Sequence, residues 1–175
     1  GKEYNETIYI TNKNGENFFM NPQDKSKKVS LPGFTTINDI CLMTTDKPLS
    51  EQASEEKVVN IYDYDAKKAV PKSVPVLTDL LGKQIYLGII KQLENKNEKD
   101  GNGNYVPTDE TRESNTIEKV FHHPSKMTVV EARDKKDPEF ADAWVERNKG
   151  NTRDKRKKKG GAGSTGSAPA AGSTS

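Results

Sequence analysis

Cysteine, histidine and long apolar runs are all scarce in this chain, and each scarcity excludes a class of protein. The single cysteine, Cys41, leaves no intrachain disulfide and points to a reducing compartment; its pattern is that of a small buried residue on a helix. The only two histidines, His122 and His123, are adjacent, so an extended backbone sends them to opposite faces and they cannot share a metal. No run approaches the roughly 18 apolar residues that span a bilayer, and the N-terminus has no signal-peptide pattern. A soluble, intracellular protein is expected. Neither a Walker loop, a dinucleotide fingerprint nor a zinc spacing is present. Gly101-Asn102-Gly103 sits in a polar hairpin loop rather than between a strand and a helix, so it is no phosphate cradle. Cys41 paired with a histidine has nothing beside it to activate a thiolate. The chain therefore reads as non-enzymatic, with no cofactor and no metal.

Apolar and charged residues each make up 31% of the 175 residues, which predicts one domain with a modest core plus tails. The net charge of +2 is uneven. The run from Arg147 to Lys159 contains eight basic residues and one acid, a charge of +7 that leaves the rest of the chain at −5. An acidic body argues against coating a polyanion by bulk charge, so any nucleic-acid site on it must be a local groove. Beyond Lys159 the chain is Gly, Ser and Ala with little else, a composition without means of folding.

Local patterns divide the rest. Residues 3–12 alternate like a strand, and Asn14-Gly15 before Phe18-Phe19-Met20 predicts a type I′ hairpin. Residues 21–30 read as a polar loop. A helix follows, capped by Thr35 or Thr36, with Ile37, Ile40 and Cys41 as its apolar stripe. Residues 57–64 alternate as a further strand, and Pro71 and Pro75 are expected to break the chain before a short helical turn ending at Gly82. Residues 128–133 and 137–148 have helical spacing, with Phe140, Trp144 and Val145 on one face. The chain opens GKEYNETIYI, without Met and directly in a strand pattern, which suggests a fragment whose first strand or strands lie upstream.

The stretch from Gly82 to His123 reads as two strands joined by a long charged loop. In the first arm Ile85, Leu87 and Ile89 form the expected core face, and Tyr86 beside Gly88 leaves room for a planar ligand on the other. The return arm places Lys119 with Ile117 and Phe121. Residues 94–106 bury too little apolar area to order themselves and are expected to be mobile until bound. Aromatic residues lie in or next to the predicted strands, with cations nearby. Tyr9, Phe19, Tyr62, Tyr86 and Tyr105 are candidates for stacking on bases, an interaction worth on the order of 1–3 kcal/mol per base. Tyr9 and Tyr86 are favoured over Phe18 and Phe121, because each lies opposite the aliphatic face of its strand. Any one of them can equally be a core or cross-strand residue. Lys13, Lys91, Lys96, Lys99, Arg112 and Lys119 are candidate phosphate contacts, joined by Arg153, Lys155, Arg156 and Lys157 of the tail.

Five strand candidates, an interposed helix, a long loop between the last two strands and surface aromatics suggest an OB-fold barrel. The segments LPGFTTINDICL, KQLENKNEKDGNGNYVPT, NTIEKVFHHPSKMTVVEAR and AWVERNKGNTRDKRKKK also resemble the single-stranded DNA-binding proteins of lytic tailed bacteriophages, in particular the podovirus group Schitoviridae. The resemblance implies a mainly β protein with short helices: an OB-like antiparallel five-stranded barrel over residues 1–149, a C-terminal helix, and a disordered tail over residues 150–175. It implies sequence-tolerant binding of single-stranded DNA in phage replication and recombination, in the cytoplasm of an infected bacterium, with phage replication, recombination or transcription proteins as partners and no membrane. One departure stands out: the chain ends in a neutral stretch where many single-strand binders carry an acidic or aromatic tip. The alternative reading is an interaction module that recruits a replication or transcription partner through the basic C-terminal segment.

Overall fold

The computed structural model describes residues 2–63 and 65–157; Tyr64, Lys158, Lys159 and the Gly/Ser/Ala stretch lie outside the described residues. The chain is mainly β with a few short helices, and the strands among the described residues form three sheets. Strands β1 (Phe18–Met20) and β2 (Lys28–Ser30) pair, as do β3 (Ser54–Asp63) and β4 (Lys68–Leu77). The third sheet has the order β6-β5-β7, from β5 (Ile85–Lys99), β6 (Tyr105–His122) and β7 (Thr152–Asp154). Helices α1 (Pro32–Thr45), α2 (Val129–Asp134) and α3 (Phe140–Asn148) complete the fold. The chain divides into two compact units. The first takes residues 1–90 and 116–150, and the second takes 91–115 with the chain from Asn151 onward.

The expected closed five-stranded barrel is not formed among the described residues. One cause is visible in β4, where both prolines lie within the strand instead of breaking it. The register pairs Asn60 with Pro71 and Glu56 with Pro75. Four residues apart, the two prolines share one phase of the ladder, so both missing N–H groups belong to the outer edge. That edge cannot accept a further strand there. The all-antiparallel expectation fails too, because β7 runs parallel to β5 with Gln92 opposite Arg153.

The N-terminal residues also depart from expectation. Asn14-Gly15 does turn, with Gly15 at φ 79°, but residues 3–12 form no strand, and the partner of β1 is β2, within the supposed polar loop. The segment is held by a side chain instead of a ladder. Glu6 accepts hydrogen bonds from Thr116 Oγ1 (2.7 Å), the Ile117 backbone N–H (3.0 Å) and the Tyr4 hydroxyl (2.7 Å). Burial by itself would raise the Glu6 pKa; these hydrogen bonds outweigh it and hold the carboxyl below its usual range. Tyr4 is pushed up to about 12 by burial, by its hydrogen bond to Glu6 and by that carboxylate's charge. Helix α1 starts at Pro32, earlier than a Thr35 or Thr36 cap would place it. Pro32 supplies a preset φ and needs no N–H partner in the first turn. Cys41 is fully buried in this helix.

The first unit is organised by α3 lying on β5 and β6. Ile90, Phe121, Ala141 and Trp144 form its buried cluster, with Phe140 against it. Alternation in β5 is present, but the buried face is the opposite one from that expected: Gly88 and Ile90 are covered while Ile89 is exposed. The planar group beside Gly88 is the protein's own indole. A Cβ built on Gly88 would stand 2.9 Å from Trp144 Cη2 and 3.1 Å from Lys119 Cβ, so only glycine admits the ring at this distance. The indole N–H donates to Glu118 Oε2 (3.1 Å), and Phe121 meets the ring edge-on with centroids 6.2 Å apart.

Helix α2 is short and relies on its cap. Thr128 and Glu131 form a capping box, and the second oxygen of Glu131 accepts the Phe140 N–H (2.8 Å), tying α2 to the start of α3. Burial alone would raise the Glu131 pKa; hydrogen bonds from Thr128, Phe140 and Glu139 overcome that and lower it.

Two predictions follow from this packing. Trp144→Ala should cost about 3–5 kcal/mol in urea unfolding, and Gly88→Ala about 1–3 kcal/mol by overpacking; unchanged midpoints in both would contradict the placement of the indole. Glu131→Gln should remove a contribution that is complete above the ordinary glutamate pKa of about 4.3 and is lost as pH falls through the lowered folded value. The wild type should therefore lose its advantage over Glu131→Gln in thermal scans taken below about pH 4.

Candidate nucleic-acid interface

The second unit is a blade made of the turn-side parts of β5 and β6, with β7 on the other edge of β5. The segment expected to be a mobile loop, residues 94–106, is mostly strand: β5 runs to Lys99, β6 begins at Tyr105, and the turn is confined to residues 100–104. Asp100 builds that turn by accepting the N–H groups of Asn102 (2.9 Å) and Asn104 (2.8 Å) through its side chain, while Gly103 takes φ 81°. Exposed cross-strand ion pairs accompany the backbone ladder where apolar burial is lacking. Lys91 meets Glu113 (2.8 Å), Arg112 meets Glu94 (3.0 Å) and Lys96 meets Glu110 (2.6 Å). The mutual attraction of the last pair raises the Lys96 pKa and lowers that of Glu110.

The basic C-terminal run, expected to be wholly unstructured from residue 150, begins instead as β7 on the second edge of β5. The Lys155 N–H donates to the Leu93 carbonyl (2.8 Å), and Asn95 clamps the next turn of chain, its Oδ1 accepting the Lys157 N–H (2.6 Å). Arg156 forks onto Asp154 and reaches Thr111 Oγ1 at 3.5 Å. Charge explains this docking. Residues 91–115 carry six acids and four bases, while residues 151–157 carry four bases and one acid. The strand that anneals is opposite in sign to the hairpin that receives it.

The five stacking candidates lie on different elements and all are open to solvent: Tyr9 is 81% exposed, Tyr105 69%, Tyr62 53%, Tyr86 42% and Phe19 40%. Tyr9 stands on the N-terminal segment, Phe19 on β1, Tyr62 on β3, and Tyr86 and Tyr105 at the starts of β5 and β6. In register with Tyr62 is Ala69, too small a neighbour to cover a ring. Tyr86 packs beside His123 with centroids 4.8 Å apart. Lys99 Nζ sits 5.5 Å from the centre of Tyr105, so a ring and a cation already stand together at the blade's tip. Phe121, by contrast, is buried, and Phe18 lies under Lys28.

The cations divide by partner. Lys91, Lys96 and Arg112 are neutralised across the hairpin, so a phosphate reaching them must compete with a glutamate. Lys119 reaches over Phe140 at 5.5 Å. Lys13 is exposed beside the Asn14-Gly15 turn, and Lys155 and Lys157 are exposed, their ammonium groups in no ion pair among the described residues. Lys99, like Lys91 and Lys96 a phosphate candidate from the sequence, is brought beside Tyr105 because both stand three residues from Asn102, a symmetry that becomes visible only once the loop is known to be a tight hairpin.

The histidines make separate contacts: His122 Nδ1 meets Ser125 Oγ at 2.8 Å while His123 lies against Tyr86. Among the described residues no three His, Cys, Asp or Glu side chains are grouped to hold a metal, and no helix is long and apolar enough to cross a membrane.

Asn95→Ala should release the backbone of Lys157. Hydrogen exchange of the amides at 152–157 should then speed up markedly, with the amides of the β5–β6 turn unaffected; equal protection in the variant would show that β7 docks without the clamp.

Compared with protein-family models, with curated proteins and with solved structures, the chain matches none.

Proposed function

We propose that this protein binds single-stranded DNA without catalysis and with little sequence preference, stacking bases on exposed strand aromatics and attracting phosphates with its basic C-terminal segment. The observation that carries the reading is the exposure of Tyr9, Phe19, Tyr62, Tyr86 and Tyr105, in a molecule whose first unit gathers so few apolar side chains into its core. A small protein short of apolar residues gains nothing in stability from leaving five rings in water. Every base has a π-face, so such rings serve any sequence.

The second unit supplies the electrostatic part. Tyr105 with Lys99, and Lys155 with Lys157, place an exposed ring and available cations in one blade, while the glutamates paired to Lys91, Lys96 and Arg112 keep its overall charge low. Binding in this arrangement depends on stacking more than on charge density. No closed barrel is needed for it. A role in phage replication and recombination, in the cytoplasm of an infected bacterium, follows from the resemblance of the sequence to phage single-strand binders and is part of the same proposal.

Titration with oligo-dT at low salt should quench tyrosine fluorescence. Tyr105→Ala should weaken binding by about 1–3 kcal/mol, roughly 5- to 150-fold. The logarithm of affinity should fall with the logarithm of salt by about 0.7 per phosphate neutralised, and Lys155→Ala/Lys157→Ala should flatten that slope. Absence of quenching at low salt overturns the proposal. Should a replication or transcription protein then be retained after nuclease treatment, the basic segment would be a recruiting element instead.

A further inference from the structure

The first unit contains a cleft of about 880 Å³ that the DNA-binding reading does not use. Its walls come from the first half of α1, from Glu118, Lys119 and Val120 of β6, from α2, and from Phe140 and Ala143 of α3. Its ionic lining is Asp39, Glu118, Glu131 and Glu139 against Lys119 and Lys136, an excess of two negative charges.

Most of these groups are already engaged. Glu131 is consumed by the cap of α2 and the Phe140 N–H, Glu118 accepts the Trp144 indole, Lys136 lies 3.6 Å from Asp134, and Lys119 extends over Phe140. Asp39 differs. Half-buried on α1, its carboxylate has neither a hydrogen bond nor an ion pair among the described residues. Burial pushes its carboxyl up against the pull of Lys119. An unpaired carboxylate withdrawn from water is costly, and a cation brought to it offsets that cost. Apolar surface from Val120, Val129, Val130 and Ala143 suits the methylene stem of a lysine, whose head can reach a carboxylate while its stem stays on valine. The negative balance disfavours a phosphate or nucleotide.

A source of such a cation is in the chain itself. Residues 153–159 carry six basic side chains and one acid, and Lys155 and Lys157 are exposed without ion-pair partners among the described residues. We propose that the cleft receives a lysine of the basic run of a second copy of this protein, with Asp39 taking the ammonium group. The contact is heterologous: the cleft of one molecule faces the run of the next, so it propagates in rows and need not close. It does not need DNA, but it draws on the lysines that the DNA-binding reading assigns to phosphates, so a bound strand should compete with it.

A fluorescein-labelled peptide of residues 151–159 tests the cleft, and sedimentation of the full chain tests the partner. The peptide should bind the wild type at low salt, with at least tenfold weaker binding by Asp39→Asn and little change in Lys136→Ala. Circular dichroism should show both variants folded. The full chain should self-associate with rising concentration, less so as Asp39→Asn or as Lys155→Glu/Lys157→Glu, and mixing those two variants should not restore association to the wild-type level. Peptide affinity unchanged in Asp39→Asn overturns the site. A full chain that binds the peptide through Asp39 but stays monomeric overturns the second-copy assignment and places the cation on another protein. Loss of oligo-dT affinity with peptide affinity retained in Asp39→Asn would make the cleft a base site and overturn the proposal.

Discussion

Contact between Trp144 and the backbone at Gly88 is the constraint on which the first unit depends. Absence of a side chain at Gly88 lets the indole lie directly on β5, and the ring brings Phe121, Ile90 and Ala141 into one cluster. Because α3 is fixed there, Glu118 is held through the indole N–H and Phe140 reaches Glu131 through its own N–H. The cap of α2 therefore depends on the same helix. A single aromatic residue thus orders β5, β6, α2 and α3, which is how a chain with so few apolar residues gains a core at all.

The second unit solves the opposite problem, since its sequence offers almost nothing to bury. Ion pairs between β5 and β6 and a clamp from Asn95 accompany the backbone ladder where apolar contacts are lacking. Exposed pairs of this kind contribute modestly and are weakened by salt. Under the proposed DNA-binding reading they also matter for function: the glutamates that order the hairpin neutralise the cations that a phosphate would seek, leaving Tyr105 with Lys99, and Lys155 and Lys157, which have no ion-pair partner among the described residues. That proposal therefore makes stacking the discriminating element and charge the auxiliary one.

Much of this was legible in the residues, and the failures have definite causes. Period-2 alternation located β3, β5 and the end of β6, and helical spacing located α2 and α3. Alternation cannot say which face is covered. In β5 the aliphatic face was the natural candidate for the core, whereas the covered face is set by Gly88 and by the one tryptophan in the chain. Residues 94–99 and 105–110 were illegible as strand because their pairing is coded across the turn, Lys96 with Glu110, rather than along the segment. Pro71 and Pro75 looked like breakers, and their spacing of four, which puts both on one outer edge, was the overlooked signal. Residues 3–12 alternate like a strand but are held by Glu6, a side-chain bond that no periodicity reports. Tyr9 and Tyr86 are exposed, but not for the reason the sequence offered: residues 3–12 form no strand, and Tyr86 lies in phase with the covered Gly88 and Ile90 of β5.

The central claim is that exposed rings, rather than bulk charge, hold the single strand. Its most direct test is an aromatic NMR titration of tyrosine-labelled protein with a short oligo-dT, read ring by ring at constant salt. The account predicts shifted and broadened ring signals for Tyr105 and for others among Tyr9, Tyr62 and Tyr86, while Tyr4, tied to Glu6, keeps its position. Binding with every tyrosine signal unmoved would contradict it, because the strand would then be held by charge alone.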